Sequence, residues 1–335
     1  MITKEVCGQI NGRDIYEFTL QNENVTLQVM EYGATVHRLL FSGVDCVAGY
    51  DELQGYMNGN SFQGATVGRY ANRIGGAAFS VNGECYKVDA NDNKVNSLHG
   101  GAHGFYAKVF QGEEIDDHTV AFSLFSPHLE GGYPGNLNLT VTFCVENNGV
   151  TITYDALCDR DTVMNFTNHA YFTLGADRCK NIVLQMQAEA ITPVDDLLIP
   201  TGEYMAVEGT PFDFRIAKPI GQDLEKEHPQ LLLGGGYDHN FVLGKTKQWR
   251  EAVITATNPQ NGITLTCSTD LPGVQLYTSN MLNEPLGKEG SPLSKHQAFC
   301  LETQFFPDTP NQPEFPSCEV KAEQPFTSVT RYEFQ

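Results

Sequence analysis

Leu137-Asn-Leu-Thr-Val-Thr-Phe-Cys-Val145 places an apolar side chain at every second position; Asn147-Asn148-Gly149 interrupts, and Val150-Thr-Ile-Thr-Tyr-Asp-Ala156 resumes the alternation. Period two is the repeat of a strand with one buried face, so the segment reads as an antiparallel hairpin with a glycine-containing turn. Asn11-Gly12, Asn82-Gly83 and Asn261-Gly262 sit between similar apolar runs. Asn tolerates and Gly freely accepts the positive φ that tight hairpin turns require. The pattern predicts an all-β fold, a large antiparallel β-sandwich. Helical signals are short: Asp51–Met57 and Gly221–His228 allow two turns at most, and neither repeats as a βαβ unit would. With no internal repeat or linker, residues 1–335 read as a single domain, and the prolines from Pro307 to Pro325 predict an irregular segment before a last strand.

Lys and Arg number 21 against 41 Asp and Glu, a formal net charge of −20. Phosphate-rich partners would be repelled, which argues against nucleic acid and anionic membranes. The 41% hydrophobic content suffices for a sizeable core. No apolar run reaches the roughly 18 residues of a membrane span, and the first residues lack the pattern of a secretory signal. Nine cysteines at 7, 46, 85, 144, 158, 179, 267, 300 and 318 form no CxxC pair. An odd, widely spaced set reads as reduced thiols in a cytoplasmic enzyme, with no cysteine-based zinc site.

Four segments place polar residues among glycines and aromatics. Gly68-Arg-Tyr-Ala-Asn72-Arg73-Ile-Gly75-Gly76 carries two of only nine arginines. One alone would read as a loop arginine bonded to carbonyls; two together point to a ligand with vicinal oxygens, which the guanidinium fork fits. Asn96-Ser97-Leu98-His99-Gly100-Gly101-Ala102-His103 spaces two histidines at i, i+4. The glycines argue against the helix that a metal pair would need, and favour a turn that lets a ligand approach the backbone. In Asn165-Phe-Thr-Asn168-His169-Ala170-Tyr171-Phe172 the histidine is either a structural core residue or a proton-transfer group. Glu302 in Phe299-Cys-Leu-Glu-Thr-Gln-Phe-Phe306 stands inside an apolar strand, on the face of Cys300 and Gln304. Burying a bare carboxylate is costly, so Glu302 must face a polar cavity or hold a partner.

Taken jointly, these segments and several others resemble the aldose 1-epimerases, or galactose mutarotases. The others are Gly132-Tyr-Pro-Gly-Asn-Leu137, Thr192-Pro-Val-Asp-Asp-Leu-Leu-Ile-Pro-Thr-Gly202, Gly236-Tyr-Asp-His-Asn-Phe241, Pro272-Gly-Val-Gln-Leu-Tyr-Thr278 and the Phe306-Pro-Asp…Pro310-Asn-Gln-Pro313 run. They follow one another from about residue 30 to about residue 320. The resemblance implies a supersandwich with an open cleft for a free hexose such as galactose or glucose. It implies Glu302 as general base and His169 as general acid, with Asn72, Arg73, His99, Tyr171, Asp238 and Gln275 holding the sugar. No cofactor, metal, nucleic acid or membrane is implied, and the chain would act as a monomer or homodimer. Thr173, Ser279, Phe305 and the inserted Ala102-His103 depart from the family's wording and bear on which sugar fits.

Anomer interconversion breaks C1–O5, turns about C1–C2 and recloses on the other face. Removing the O1 proton while protonating O5 avoids both a full alkoxide and a full oxonium, so a paired acid and base suit it. Glu302 and Asp238 close to His169 are expected to favour its charged form and to titrate with it. Three rival readings remain at this level: a glycoside hydrolase using Glu302 with Asp238, a non-catalytic carbohydrate-binding sandwich, and an epimerase of a related sugar or sugar phosphate.

Overall fold

A computed structural model describes residues 1–335. Strands Leu137–Glu146 and Gly149–Cys158 pair antiparallel from Leu137↔Cys158 to Glu146↔Gly149. The turn is therefore Asn147-Asn148, with Asn147 at φ 52° and Gly149 already in the strand. Asn11-Gly12 and Asn82-Gly83 also close two-residue turns, between Ile10↔Arg13 and Val81↔Glu84. Asn261-Gly262 behaves differently. Strands Arg250–Thr257 and Thr264–Thr269 last pair at Thr257↔Thr264, which leaves residues 258–263 as a longer loop. That loop is tied to a distant segment, because the amides of Asn258 and Asn261 both donate to the Leu174 carbonyl, at 3.0 and 2.9 Å.

Two short α-helices form, Leu53–Asn58 and Pro229–Gly234. The second corrects the expectation for Gly221–His228, which is the end of a 3₁₀ turn, Ile220–Gln222, followed by a hydrogen-bonded turn at 223–226. The helix starts one residue later because proline suits the first helical position, where no N–H is needed, and His228 caps it by accepting from the Gln230 N–H. No helix is long and apolar enough to cross a membrane.

Three antiparallel sheets organise the chain. Residues 2–45 make a five-stranded meander. A nine-stranded sheet runs from Gln111–Asp116 to Lys218–Pro219, and the last strand, Phe326–Phe334, lies in its middle between Gly149–Cys158 and Thr264–Thr269. A six-stranded sheet orders Tyr171–Phe172, Phe299–Gln304, Gly273–Tyr277, Asp238–Val242, Ala190–Ile191 and Met205–Ala206. One face of this third sheet packs on the nine-stranded one. The Tyr332 hydroxyl donates to the Leu301 carbonyl at 2.9 Å, Thr303 and Thr330 hydroxyls meet at 2.6 Å, and the Phe172 and Tyr332 rings lie 5.1 Å apart. A cluster of 70 buried apolar residues, from Phe18 to Phe334, fills the space between the layers.

Arg69 is buried with this core and satisfies the loop at 126–135. Its guanidinium donates to the carbonyls of Ser126, Pro127, Pro134 and Gly135 and to the Ser126 hydroxyl, at 2.8–3.3 Å. The plain reading of a loop arginine thus fits Arg69, whose guanidinium is taken up by this loop. Arg69→Met would take the guanidinium from all four carbonyls, leaving the Pro127 carbonyl only the Glu130 N–H and the Pro134 carbonyl only the Cys158 thiol. We expect it to lower the unfolding free energy by about 2–3 kcal/mol, measured by urea denaturation; a change within ~0.5 kcal/mol, typical of a surface substitution, would contradict this role.

Candidate active site

Strand register builds the site. Alternation along Phe299–Gln304 turns Leu301 and Thr303 to the core and Cys300, Glu302 and Gln304 to the opposite face of the six-stranded sheet. Across that face Glu302 stands opposite Gln275 and Gln275 opposite Asn240, while the neighbouring row is Tyr171, Cys300, Tyr277 and Asp238. His169 lies two residues before Tyr171, on the same side of extended chain, and its backbone is held by the Ala65 carbonyl and the Gly64 N–H. The imidazole stacks on the Tyr171 ring at 5.1 Å and 16°.

Glycine loops close the other wall. His99 and Asn72 adopt left-handed backbone, at φ 54° and 66°, as does Phe62 at 56°. Such strain in non-glycine residues concentrates at functional sites. Gly100 continues the turn at φ +84°, and a Cβ there would lie 2.0 Å from the Gly68 carbonyl oxygen. That contact explains why the Leu98-His-Gly-Gly wording requires glycine.

Together these elements enclose a cavity of about 430 Å³ lined by Asn72, Arg73, His99, His169, Tyr171, Asp238 and Glu302. It is within the range of small-molecule sites, ~300–1,000 Å³. Seven of the eight expected residues line it: the pair Glu302 and His169 stand with Oε2 and Nε2 3.7 Å apart, and Arg73, Asp238, Tyr171 and His99 surround them. Asn72 lines the cavity too, although its Oδ1 accepts from the Arg73 N–H at 2.9 Å. Gln275 does not line it. Its amide donates to Asp238 Oδ1 at 2.7 Å, so it stands behind Asp238 and fixes that carboxylate. The opposite Asp238 oxygen faces Arg73 Nη1 at 3.9 Å, and Arg73 Nε donates to Asp92 Oδ2 at 3.1 Å. His103 points away, its side chain exposed and 4.0 Å from Asp89, so the i, i+4 histidine pair does not form a metal site.

Sequence reading missed Phe62, Asp92, Tyr277, Asn283 and Glu284, which also line the cavity. Phe62 meets the His99 ring edge-on at 4.9 Å. Tyr277 falls within the Pro272–Thr278 motif, whereas nothing in the local pattern marks the other four.

Burial sets the protonation of the central pair. It pushes the Glu302 carboxyl up to about 8, with the Asp238 charge adding and Arg73 opposing. Burial also holds His169 down to about 4. This corrects the expectation that Glu302 and Asp238 would keep His169 charged: removing the imidazolium from water outweighs their attraction. Asp238 is raised by burial as well, against Arg73 and the Gln275 amide. Because Glu302 and His169 touch, their proton belongs to the pair, which retains one between about pH 4 and about 8.

Comparison with known proteins gives the family. The family model described as aldose 1-epimerase matches residues 16–333. Galactose mutarotase of Bos taurus is 37% identical over 344 residues, covering 99% of this chain and 98% of the relative. Aldose 1-epimerase of Haemophilus influenzae is 38% identical over 325 residues and covers 94% of each chain. The crystal structure of galactose 1-epimerase from Lactobacillus acidophilus NCFM superposes with a TM-score of 0.90 at 27% identity, spanning 100% of this chain and 98% of that one. The fold is the galactose mutarotase-like β-sandwich, and the chain belongs to the aldose 1-epimerase family of isomerases.

Proposed function

We propose that the protein interconverts the α and β anomers of free aldohexoses such as galactose and glucose, with Glu302 and His169 as its proton-transfer pair. The observation that supports this most is the buried carboxylate–imidazole contact of 3.7 Å opening on a sugar-sized cavity. In the closed-ring complex the sugar O1–H donates to the Glu302 carboxylate and O5 accepts from the His169 imidazolium. As C1–O5 breaks, the O1 proton passes to Glu302 and the His169 proton to O5. The product is an open-chain aldehyde beside a neutral carboxyl and a neutral imidazole. Rotation about C1–C2 presents the other carbonyl face. O5–H then attacks C1 while returning its proton to His169, and Glu302 reprotonates O1.

Both ends of the reaction carry one proton on the pair, so no proton leaves the site. Burial favours the neutral arrangement, which is the one reached when the ring is open; contact with O1–H and O5 assembles the ionised one. The pocket thus narrows the gap between closed and open sugar. Arg73, Asn72, His99, Tyr171 and Asp238 hold the ring hydroxyls, and Gln275 positions Asp238. The nine unpaired cysteines support a reducing, cytoplasmic setting, and we read residues 1–335 as one functional unit.

Phosphorylated sugars fit less well. Arg73 is the cavity's one lysine or arginine, already facing Asp92 and Asp238, and Glu284 adds a further carboxylate. A dianionic phosphate would meet net repulsion.

Glu302→Gln and His169→Asn should each slow mutarotation, followed by polarimetry of fresh α-galactose, by about 10²–10⁴ with the fold retained by circular dichroism. Near-normal rates in either variant would remove that residue from the chemistry. The pH dependence of kcat/KM should be bell-shaped. Below about 4 the pair gains a second proton and the base is lost, and above about 8 the shared proton leaves and the acid is lost. A profile without either limb would contradict a shared-proton pair.

A further inference from the structure

His99, His169 and Glu302 are buried, and one ligating atom from each lies within 4.8 Å of the other two. Two imidazoles and a carboxylate at that spacing could serve a metal or a sugar. The hydrogen bonding of His99 separates the two. Its main-chain N–H donates to the Asn72 carbonyl at 3.1 Å, and the Asn72 N–H in return donates to His99 Nδ1 at 3.2 Å. A backbone N–H can only donate, so Nδ1 must present a lone pair. In a neutral imidazole the proton then sits on Nε2. A metal at Nε2 needs the reverse, a lone pair there and an Nδ1–H donating outward to a carbonyl or carboxylate. An imidazolium fails on the same ground, because two N–H groups would face each other.

The surroundings act in the same direction. Phe62 covers the ring at 4.9 Å and the His169 ring lies 5.2 Å away. Burial first, then His169 and the Arg73 charge, hold His99 well below its ordinary range. Glu302, the one carboxylate in the cluster, is itself held neutral up to about 8.

We propose that the Asn72 main chain locks His99 in the Nε2–H tautomer, making it a permanent hydrogen-bond donor to a sugar oxygen beside the His169–Glu302 pair, and neither a proton carrier nor a metal ligand. A donor that never releases its proton leaves the pair's single proton unshared by a third group, while still meeting the lone pair of an oxygen whose charge rises as C1–O5 breaks. Asn72 is then a positioning residue: its left-handed backbone aims the N–H at His99. That the acceptor is a sugar oxygen rests on the mutarotase reading; the tautomer does not.

The test is a long-range ¹H–¹⁵N correlation spectrum of the full-length protein with ¹⁵N-histidine, recorded from pH 5 to 9. Signals that vanish in His99→Gln identify the residue. We expect a protonated Nε2 and an unprotonated Nδ1 throughout, and a shift of the Nε2–H proton on saturation with D-galactose. An Nδ1–H tautomer, or titration of His99 in this range, overturns the lock. An unmoved Nε2–H signal in a preparation that polarimetry shows to be active overturns the donor role. Absence of mutarotation with the tautomer as expected counts against the mutarotase reading alone and upholds the lock. Kinetics add a second readout. His99→Leu should lose about 10²-fold or more in kcat/KM, the scale of one lost donor. His99→Gln, whose amide can accept from Asn72 and donate onward, should recover most of that loss. Both should keep the wild-type pH limbs, and a displaced limb would show His99 to be a titrating member and overturn the proposal.

Discussion

A carboxylate in the middle of a buried strand is the constraint around which the site is arranged. Glu302 is 2% exposed, and the other face of its strand is committed to the contact between two sheets through Leu301 and Thr303. The side chain has one direction left, and no lysine or arginine approaches it closely enough to form an ion pair. Its Oε2 makes no hydrogen bond within the protein. The protein meets the cost of burial by keeping the group protonated and by placing the His169 imidazole beside it, so that charge appears only when a ligand can share it. Acid–base chemistry follows from that compromise.

The surrounding network has the same economy. Asp238 is shared between the Gln275 amide and Arg73, and Arg73 between Asp238 and Asp92. Asp238 and Arg73 are thereby oriented before any ligand arrives, the arrangement that electrostatic preorganisation requires. Gln275 shows the layering: it shares the face of Glu302, directly opposite it in the sheet, yet its amide is spent on Asp238. Arg69 and Arg73, four residues apart, mark the outer limit of the site. One saturates loop carbonyls inside the core and the other reaches the cavity.

Much of the architecture was legible in the pattern of side chains. Alternation over 137–156, the Asn-Gly turns and the scarcity of helical periodicity lead to an antiparallel sandwich, because strand patterning and turn chemistry are local properties. The exceptions were tertiary. Asn261-Gly262 lies in a longer loop since the Asn258 and Asn261 amides are drawn to Leu174. The second helix begins at Pro229 and not within Gly221–His228, a shift decided by a proline and its cap. Of the residues the family wording supplied, all but Gln275 line the cavity, while Phe62, Asp92 and Glu284 lacked any local mark.

Sequence by itself determined which groups can exchange protons and that one of them, a glutamate in an apolar strand, had to find an uncommon environment. It also set the family, through ordered motifs. Only the tertiary structure decided the protonation of those groups. The expected closeness of Glu302 and Asp238 in the site suggested that they would charge His169, but desolvation is a property of the enclosing volume, and it moves both members of the pair toward neutrality. The tautomer of His99 is likewise invisible in the string Leu-His-Gly-Gly, because it depends on an N–H twenty-seven residues away that the fold brings to Nδ1.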